Sequence, residues 1–430
     1  MDVDVIVIGA GLAGLTAARH LEAAGRRVQV LEACEEVGGR VVTDRVDGFL
    51  CDRGFQVLNP AYPRVRRDVD LDALRLQTFT PGVDLVTNDG VARLADPVRS
   101  PGDLPATLRS GIVPTDGRQV RELTGLLRWV VPALASPGAQ DQVPWGECLD
   151  ALGAGGLGRR ALERFLAGVL LEEDGSTSAP VVAQLLRWFL TGTPGLPAEG
   201  MGALPAQLAA GLRQPVALEQ AAHRVVERDG RLAVETAFGT HTARQVVVAV
   251  APHQVQGLLG ADGPALPVAR MKGVTTWWFT APEAPTDDPV LRVDGATVRG
   301  PVVNTAVVSA AAPSYSASGA PLIEASVLHR GHGPVDEAEV REHLAVLWGR
   351  RVDAWEVVAR HDVRDALPDA APPVATPREA SVGGGLFLAG DHWGGASIHG
   401  AMQSGARAAQ AVLGAEATGA RATGTEDRTR

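Results

Sequence analysis

Residues 5–14 read Val-Ile-Val-Ile-Gly-Ala-Gly-Leu-Ala-Gly, an apolar strand running straight into Gly9, Gly11 and Gly14. Such a strand of β-branched residues is suited to burial on both faces, as in a parallel sheet covered by helices. Gly9 permits a tight turn, Gly11 lets the backbone approach a pyrophosphate, and Gly14 lets the next helix sit close on the sheet. The helix start then offers its free N–H groups and positive dipole end to the anion. The context is complete: a strand over 4–8, a helix over 12–24 with Leu15, Ala18 and Leu21 on one face, Gly25 as its stop, and a second strand over 28–31. Glu32 ends that strand, placed to accept hydrogen bonds from ribose hydroxyls and to repel a 2′-phosphate. These features predict a dinucleotide site.

The chain has 430 residues, 45% of them hydrophobic, so it can bury large cores in two or three domains. Its net charge of −10 and its lack of basic runs with interleaved aromatics argue against a nucleic-acid partner. Cys34, Cys51 and Cys148 are odd in number and scattered, forming neither a C-x-x-C nor a metal-ligand pattern, which predicts reduced thiols and no metal. No basic leader precedes the first strand and no apolar run reaches the ~18 residues of a membrane span. The expectation is a soluble cytoplasmic protein. Residues 161–172 and 180–190 are amphipathic and leave two readings open: contact with a membrane surface or lipid-like substrate, or helices facing the core of a second domain. The second is favoured, because helices of this kind pack in any globular domain.

After Glu32 comes Ala33-Cys34-Glu35-Glu36-Val37-Gly38-Gly39-Arg40, and near the C-terminus Gly385-Leu386-Phe387-Leu388-Ala389-Gly390-Asp391 leads to Ser397-Ile398-His399-Gly400-Ala401. Between them lie His223-Arg224-Val225-Val226 and an apolar run, 244–252, ending in Ala-Val-Ala-Pro. In this order the three pieces resemble the flavin-containing amine oxidase and phytoene desaturase superfamily. The resemblance implies an α/β fold: a Rossmann-like FAD-binding domain, a parallel sheet with helices, interleaved with an α+β substrate domain. It implies FAD along Gly38 and Gly39, with the Arg40 guanidinium on pyrophosphate oxygens. It also implies an adenine contact at Val225, Gly390 and Asp391 near the ribityl and phosphate groups, and Ser397 and the N–H groups around Ile398 under the flavin.

On this basis residues 1–75, 205–265 and 366–414 form a discontinuous FAD-binding domain. Residues 76–204, helical in pattern, and 266–365, rich in strand, form the substrate domain, and 415–430 is a disordered tail. The segment Asp52-Arg53-Gly54-Phe55-Gln56-Val57 resembles the desaturase stretch that passes the flavin ring, with Gly54 and Phe55 beside the cofactor and Gln56 bonding the ring edge or substrate. Packing of Phe55 and Val57 with Gln56 solvated is the alternative.

In the amine oxidase branch a strand lysine holds a water near the flavin, and two aromatics flank the amine. Here that lysine's place falls on Val274 or Thr275, with Lys272, the chain's single lysine, two or three residues away and expected at the surface. Ser397 stands where that branch carries tyrosine, and Tyr62 and Tyr315 are the chain's two tyrosines. No cysteine follows residue 148, so the FAD is expected to be non-covalent. His392 and His399 are the candidate catalytic groups together with Gln56, able to move protons or to stabilise reduced flavin.

The expected activity is hydride removal from a hydrophobic organic substrate, with oxygen or a quinone reoxidising the flavin. An amine oxidase releasing peroxide, a redox-neutral FAD isomerase and a non-catalytic flavin-binding subunit are the alternatives. Peripheral membrane contact and oligomeric state stay open.

Overall fold

The computed structural model describes residues 3–426 except 261–262, 265, 268, 330–334 and 375–377, and only the backbone beyond 415. Its first sheet has five strands in the order Ser381–Gly383, Leu386–Leu388, Gln245–Val248, Val5–Ile8, Val28–Leu31. The last four of these run parallel, with Ile6 level with Val246 on one side and Gln29 on the other. Alternation along the strands divides the packing. Val5, Val7, Val28, Val30 and Val247 face Leu15, Leu21, Ala408 and Val412 of helices Leu12–Ala23 and Ile398–Glu426. Ile6, Ile8, Val246 and Val248 face Val225, Leu232 and Val234 of a three-stranded antiparallel sheet. The two helices cross so tightly that a Cβ on Gly405 would lie 2.0 Å from the Ala13 carbonyl oxygen.

The second sheet has seven strands, in the order Glu356–Pro368, Met271–Thr280, Leu322–Leu328, Val302–Val307, Leu291–Asp294, Gly82–Thr87, Gly90–Ala95. One face packs on helix Glu337–Trp348 through Trp277, Phe279, Ile323 and Ala325. The other looks toward the first sheet and toward helices Gly117–Ala135, Gly156–Leu170 and Ala179–Thr191, whose shared core holds Leu126, Trp129, Leu166, Val182 and Leu186. Helices 156–170 and 179–191 therefore do face a core, as the favoured reading had it.

Three expectations are corrected. Residues 82–95 are a hairpin rather than part of a helical insert, because Asn88-Asp89-Gly90 supplies a tight turn with Gly90 at φ +124° between two alternating strands. The stretch expected to be a disordered tail is helical as far as Glu426, its alanines extending helix Ile398–Glu426; residues 427–430 lie outside the described residues. Lys272 is not at the surface: its Nζ lies 2.5 Å from Glu172 Oε2 and 3.4 Å from Asp369 Oδ1, an ion pair between the second sheet and the helical layer.

Behind the segment expected along the flavin, Asp52 is 1% exposed and accepts hydrogen bonds from Tyr315 Oη at 2.8 Å, Met201 N at 3.0 Å and Thr43 Oγ1. Burial pushes its carboxyl up to about 6, against these bonds. Against an ordinary 3.8 that shift corresponds to about 3 kcal/mol. The contribution is present below pH ~4 and is lost as pH rises through ~6, since the folded state then gives up a proton it holds more tightly than the unfolded chain. Asp52→Asn retains an acceptor for Met201 and Thr43 and a donor for Tyr315, so its stability is expected to lose this decline. Denaturant titrations at pH 4.5 and 7.5 check it; an unchanged pH difference in the variant overturns the assignment.

Candidate functional site

A cavity of about 1260 Å³ runs from the first glycine turn, between the two sheets, into the helical layer. Sites for one small ligand typically occupy ~300–1,000 Å³, so this space accommodates a dinucleotide and a second molecule.

Its nucleotide end is shaped by absent side chains. Gly9 has φ +100°, and a Cβ on Gly14 would sit 1.9 Å from the Gly9 carbonyl oxygen, so the helix is seated against the turn. Gly38, with φ +125°, bridges to Gly11, bringing the second glycine pair beside the first. A Cβ on Gly11 would meet only the Gly38 oxygen at 3.9 Å. The protein does not need that space; it opens to the cavity. Glu32, 8% exposed, is oriented by Ala10 N at 2.6 Å on Oε2 and Cys34 N at 3.0 Å on Oε1, and each oxygen keeps a lone pair for a ribose hydroxyl. The cradle fits a dinucleotide.

Val225, expected to meet the adenine through its backbone, does not line the cavity. Its side chain is 7% exposed within the core beneath the antiparallel sheet, opposite Val234, and the cavity wall is made by Gln220, Ala221, Ala222 and His223 instead.

Arg40 has protein partners of its own. It lines the cavity, but Nη2 donates to Asp391 Oδ1 at 2.5 Å and Nη1 to the Ala366 carbonyl at 2.9 Å. It thus ties the Gly38-Gly39 loop to the strand end at Gly390 and Asp391. Burial opposes ionisation of Asp391, yet Arg40 and His392 outweigh it and hold the carboxyl below its usual range. Gly390 has φ +153° and its N–H donates to Ser404 Oγ at 3.1 Å. Ser397 caps the long helix, accepting from Gly400 N at 3.0 Å on Oγ, and Ser397, Ile398 and Ala401 present the helix start to the cavity.

His392 lines the cavity with Nδ1 3.8 Å from Asp391 Oδ1. His399 does not line it. One residue past Ile398 the helix has turned by a quarter revolution, and the imidazole packs on Trp188 at 4.8 Å and Tyr62 at 6.0 Å between ring centroids. Burial there, with Arg64 and Arg407 nearby, pushes it down to about 4, so it is neutral at pH 7 and accepts from Arg64 N at 3.4 Å. That is a packing role rather than a catalytic one.

Gly54, Phe55 and Gln56 all border the cavity. Gly54 has φ +92°, Phe55 N donates to Thr276 Oγ1 at 3.3 Å, and Gln56 Nε2 donates to the Arg40 carbonyl at 2.8 Å. The amide nitrogen of Gln56 thus holds the Gly-Gly-Arg loop, which leaves its oxygen for the cavity.

Beyond these residues the wall becomes apolar: Phe79, Val83, Leu94, Val130, Leu134, Leu162, Phe165, Leu186, Phe189, Val274 and Leu291. Polar groups are few. Asp96 and Arg99 bond each other at 2.8 Å, and Asn304, 4% exposed, and Ser326 sit side by side on facing strands. Sequence patterning missed this chamber, since its wall is assembled from three helices and four strands of the second sheet that are far apart in sequence; only the alternation at Val83 and Leu85 hinted at one strand of it.

The flavin-containing amine oxidoreductase family matches residues 12–413. The putrescine oxidase of Kocuria rosea is 49% identical over 76 residues, 18% of this chain and 16% of that protein's length. A putrescine oxidase solved with bound putrescine superposes with a TM-score of 0.72 at 19% identity, covering 96% of this chain and 99% of that one. A fatty acid isomerase from P. acnes that produces CLA superposes at 0.69 and 15% identity, covering 94% and 97%. At those identities the structural likenesses establish the fold. The family match, with a glycine cradle suited to a dinucleotide, makes the conclusion plain: the chain belongs to the flavin-containing amine oxidoreductase family.

Proposed function

We propose that the protein holds FAD without a covalent link and removes hydride from a hydrophobic organic substrate, forming a C=C bond or dehydrogenating a ring. The observation that carries this reading is the apolar chamber beyond Phe55. Val274, which with Thr275 is one of the two positions where the lysine of the amine branch would fall, lines it, and no acidic side chain in its apolar stretch is free to receive a cation, because Asp96 is paired with Arg99. A cationic amine buried there would be desolvated without compensation.

When bound, FAD supplies the hydride acceptor, with oxygen or a quinone as the terminal oxidant. The chain's part is position and polarity. The helix start at Leu12 and the backbone at Gly11 hold the pyrophosphate, and Glu32 orients the ribose. Gly54 and Phe55, which line the cavity, would face the ring when it is bound, while the apolar lining excludes water. His392, which lines the same cavity, would take the proton that leaves the substrate as the hydride departs. The absence of a thioether is supported by the cysteines: Cys51 is fully buried with its thiol pushed up to about 12, Cys148 is outside the cavity, and Cys34 lies at the nucleotide end beside Glu32.

Anaerobic mixing of the flavin-loaded protein with candidate substrates tests the reading. Bleaching of the flavin by a polyene or porphyrinogen, but not by primary amines or diamines, is the expected result. Bleaching by amines, with peroxide on admitting air, would replace it with an amine oxidase. Product formation with no acceptor consumed would assign an isomerase. A flavin that no substrate bleaches points to a binding subunit.

A further inference from the structure

Fifteen large hydrophobic residues are exposed among the described residues, and seven of them fall between 98 and 131: Val98, Leu104, Leu108, Val113, Val120, Leu127 and Val131. Scattered exposed apolar residues need no explanation; a cluster does. On helix Gly117–Ala135, Leu126, Trp129 and Ala133 turn inward, while Val120, Leu127 and Val131, 48–60% exposed, form a stripe on the outer face at spacings of seven and four. Helix Leu104–Arg109 adds Leu104 and Leu108 one turn apart. The loop after that helix and helix Gly117–Ala135 both abut helix Gly156–Leu170, since a Cβ on Gly158 would lie 3.3 Å from Ile112 Cδ1 and 3.0 Å from Leu126 Cδ2.

Charge and position indicate what covers this face. The chain carries a net charge of −10, yet residues 97–135 hold five arginines and three acids. All three acids are engaged: Asp103 with Arg93, Asp116 capping the helix N–H groups of Arg118 and Gln119, and Glu122 with Arg118. Arg109, Arg121 and Arg128 form no ion pair among the described residues. Arg121 and Arg128 flank the apolar stripe, where long cationic side chains rise beside a lipid-facing helix. The patch also continues into the apolar chamber. Val130 and Leu134 of the same helix line it, and it reaches the surface at Pro97, next to Val98, and at Leu190, which is 50% exposed.

We propose that this face docks on the surface of an anionic lipid bilayer, so that an apolar substrate enters the chamber from the lipid past Pro97 and Leu190 without crossing water. The contact is peripheral, because no described helix is long and apolar enough to cross a membrane. It is made by residues 98–131 and not by the faces of the two amphipathic helices at 156–170 and 179–191, whose apolar sides are turned into the core. The route of entry rests on the apolar-substrate reading, whereas bilayer binding needs no turnover, so flotation and bleaching fail independently.

Flotation of the flavin-loaded protein with vesicles of phosphatidylcholine alone, or with a third phosphatidylglycerol, tests the proposal. The protein is expected to float with the anionic vesicles and to be released by high salt. Arg121→Glu with Arg128→Glu weakens that binding about tenfold or more. Leu108→Asp with Leu127→Asp and Val131→Asp removes it while the flavin spectrum and melting temperature stay as in the parent, since none of the three lines the cavity. Parent protein that ignores both vesicles overturns the proposal, as does a folded, yellow triple variant that floats as well as the parent. A parent dimer that ignores vesicles and that the triple variant splits assigns the face to a second copy of the chain, and also overturns it.

Discussion

Gly11→Ala is expected to yield a folded, colourless protein, and Gly14→Ala a misfolded or strongly destabilised one. The two glycines stand three residues apart in the same turn, but what a methyl group would meet differs. At Gly14 the new Cβ would lie 1.9 Å from the Gly9 carbonyl oxygen, an overlap of main-chain atoms that no rotamer relieves. The helix must lift from the sheet, loosening Leu15 and Leu21 from Val5 and Val7, at a cost of roughly 3 kcal/mol or more. At Gly11 the nearest protein atom is 3.9 Å away and the backbone is extended at φ −74°, which alanine adopts freely. Its methyl group would occupy the space the pyrophosphate needs, and overpacking of ~1–3 kcal/mol weakens FAD by about ten- to a hundredfold. Far-ultraviolet circular dichroism and thermal melts read the fold, and flavin titration reads the site. A Gly11→Ala protein that purifies as yellow as the parent removes the pyrophosphate from this turn.

That pair also illustrates what a sequence makes legible. The strand, the glycine turn, the helix and Glu32 lie within 28 residues, and each residue type there answers a local requirement. Two further cofactor segments were recognisable by their order, yet placement within them depended on register. Val225 pairs with Val234 in the antiparallel sheet, and that pairing decides which side of the strand meets the cavity; no local signal reports it. His399 fell to a helical rotation of one residue. The hairpin at 82–95 was legible through Asn88-Asp89-Gly90, but its membership of a sheet built mostly from residues beyond 270 was not. The apolar chamber is wholly non-local: Val83, Phe165, Leu186 and Val274 become neighbours only once strand Met271–Thr280 has paired into the second sheet beneath helices formed a hundred residues earlier.

Lys272 is the second place where a large effect is expected, and it separates structure from catalysis. Glu172 is buried, with 5% of its side chain exposed, and it accepts from Trp145 Nε1 at 3.1 Å, Thr177 N at 3.0 Å and Thr177 Oγ1 at 2.6 Å as well as from Lys272. Lys272→Met strands that carboxylate without its counter-charge, which costs about 3–5 kcal/mol for a pair of this kind. The hydrogen bonds that remain place the expectation at the lower end of that range. Because Lys272 sits on strand Met271–Thr280, second in the order of the second sheet, and Glu172 follows helix Gly156–Leu170, the loss loosens the helical layer that roofs the chamber. Lys272→Met with Glu172→Gln removes both charges and is expected to recover most of the stability, a coupling of ~2 kcal/mol or more in a double-variant cycle. Lys272 does not line the cavity, so the flavin spectrum of either variant, and its rate of anaerobic bleaching at a temperature where it is folded, should match the parent. A stable single variant whose bleaching is slowed a hundredfold would instead make this lysine a group acting at the flavin.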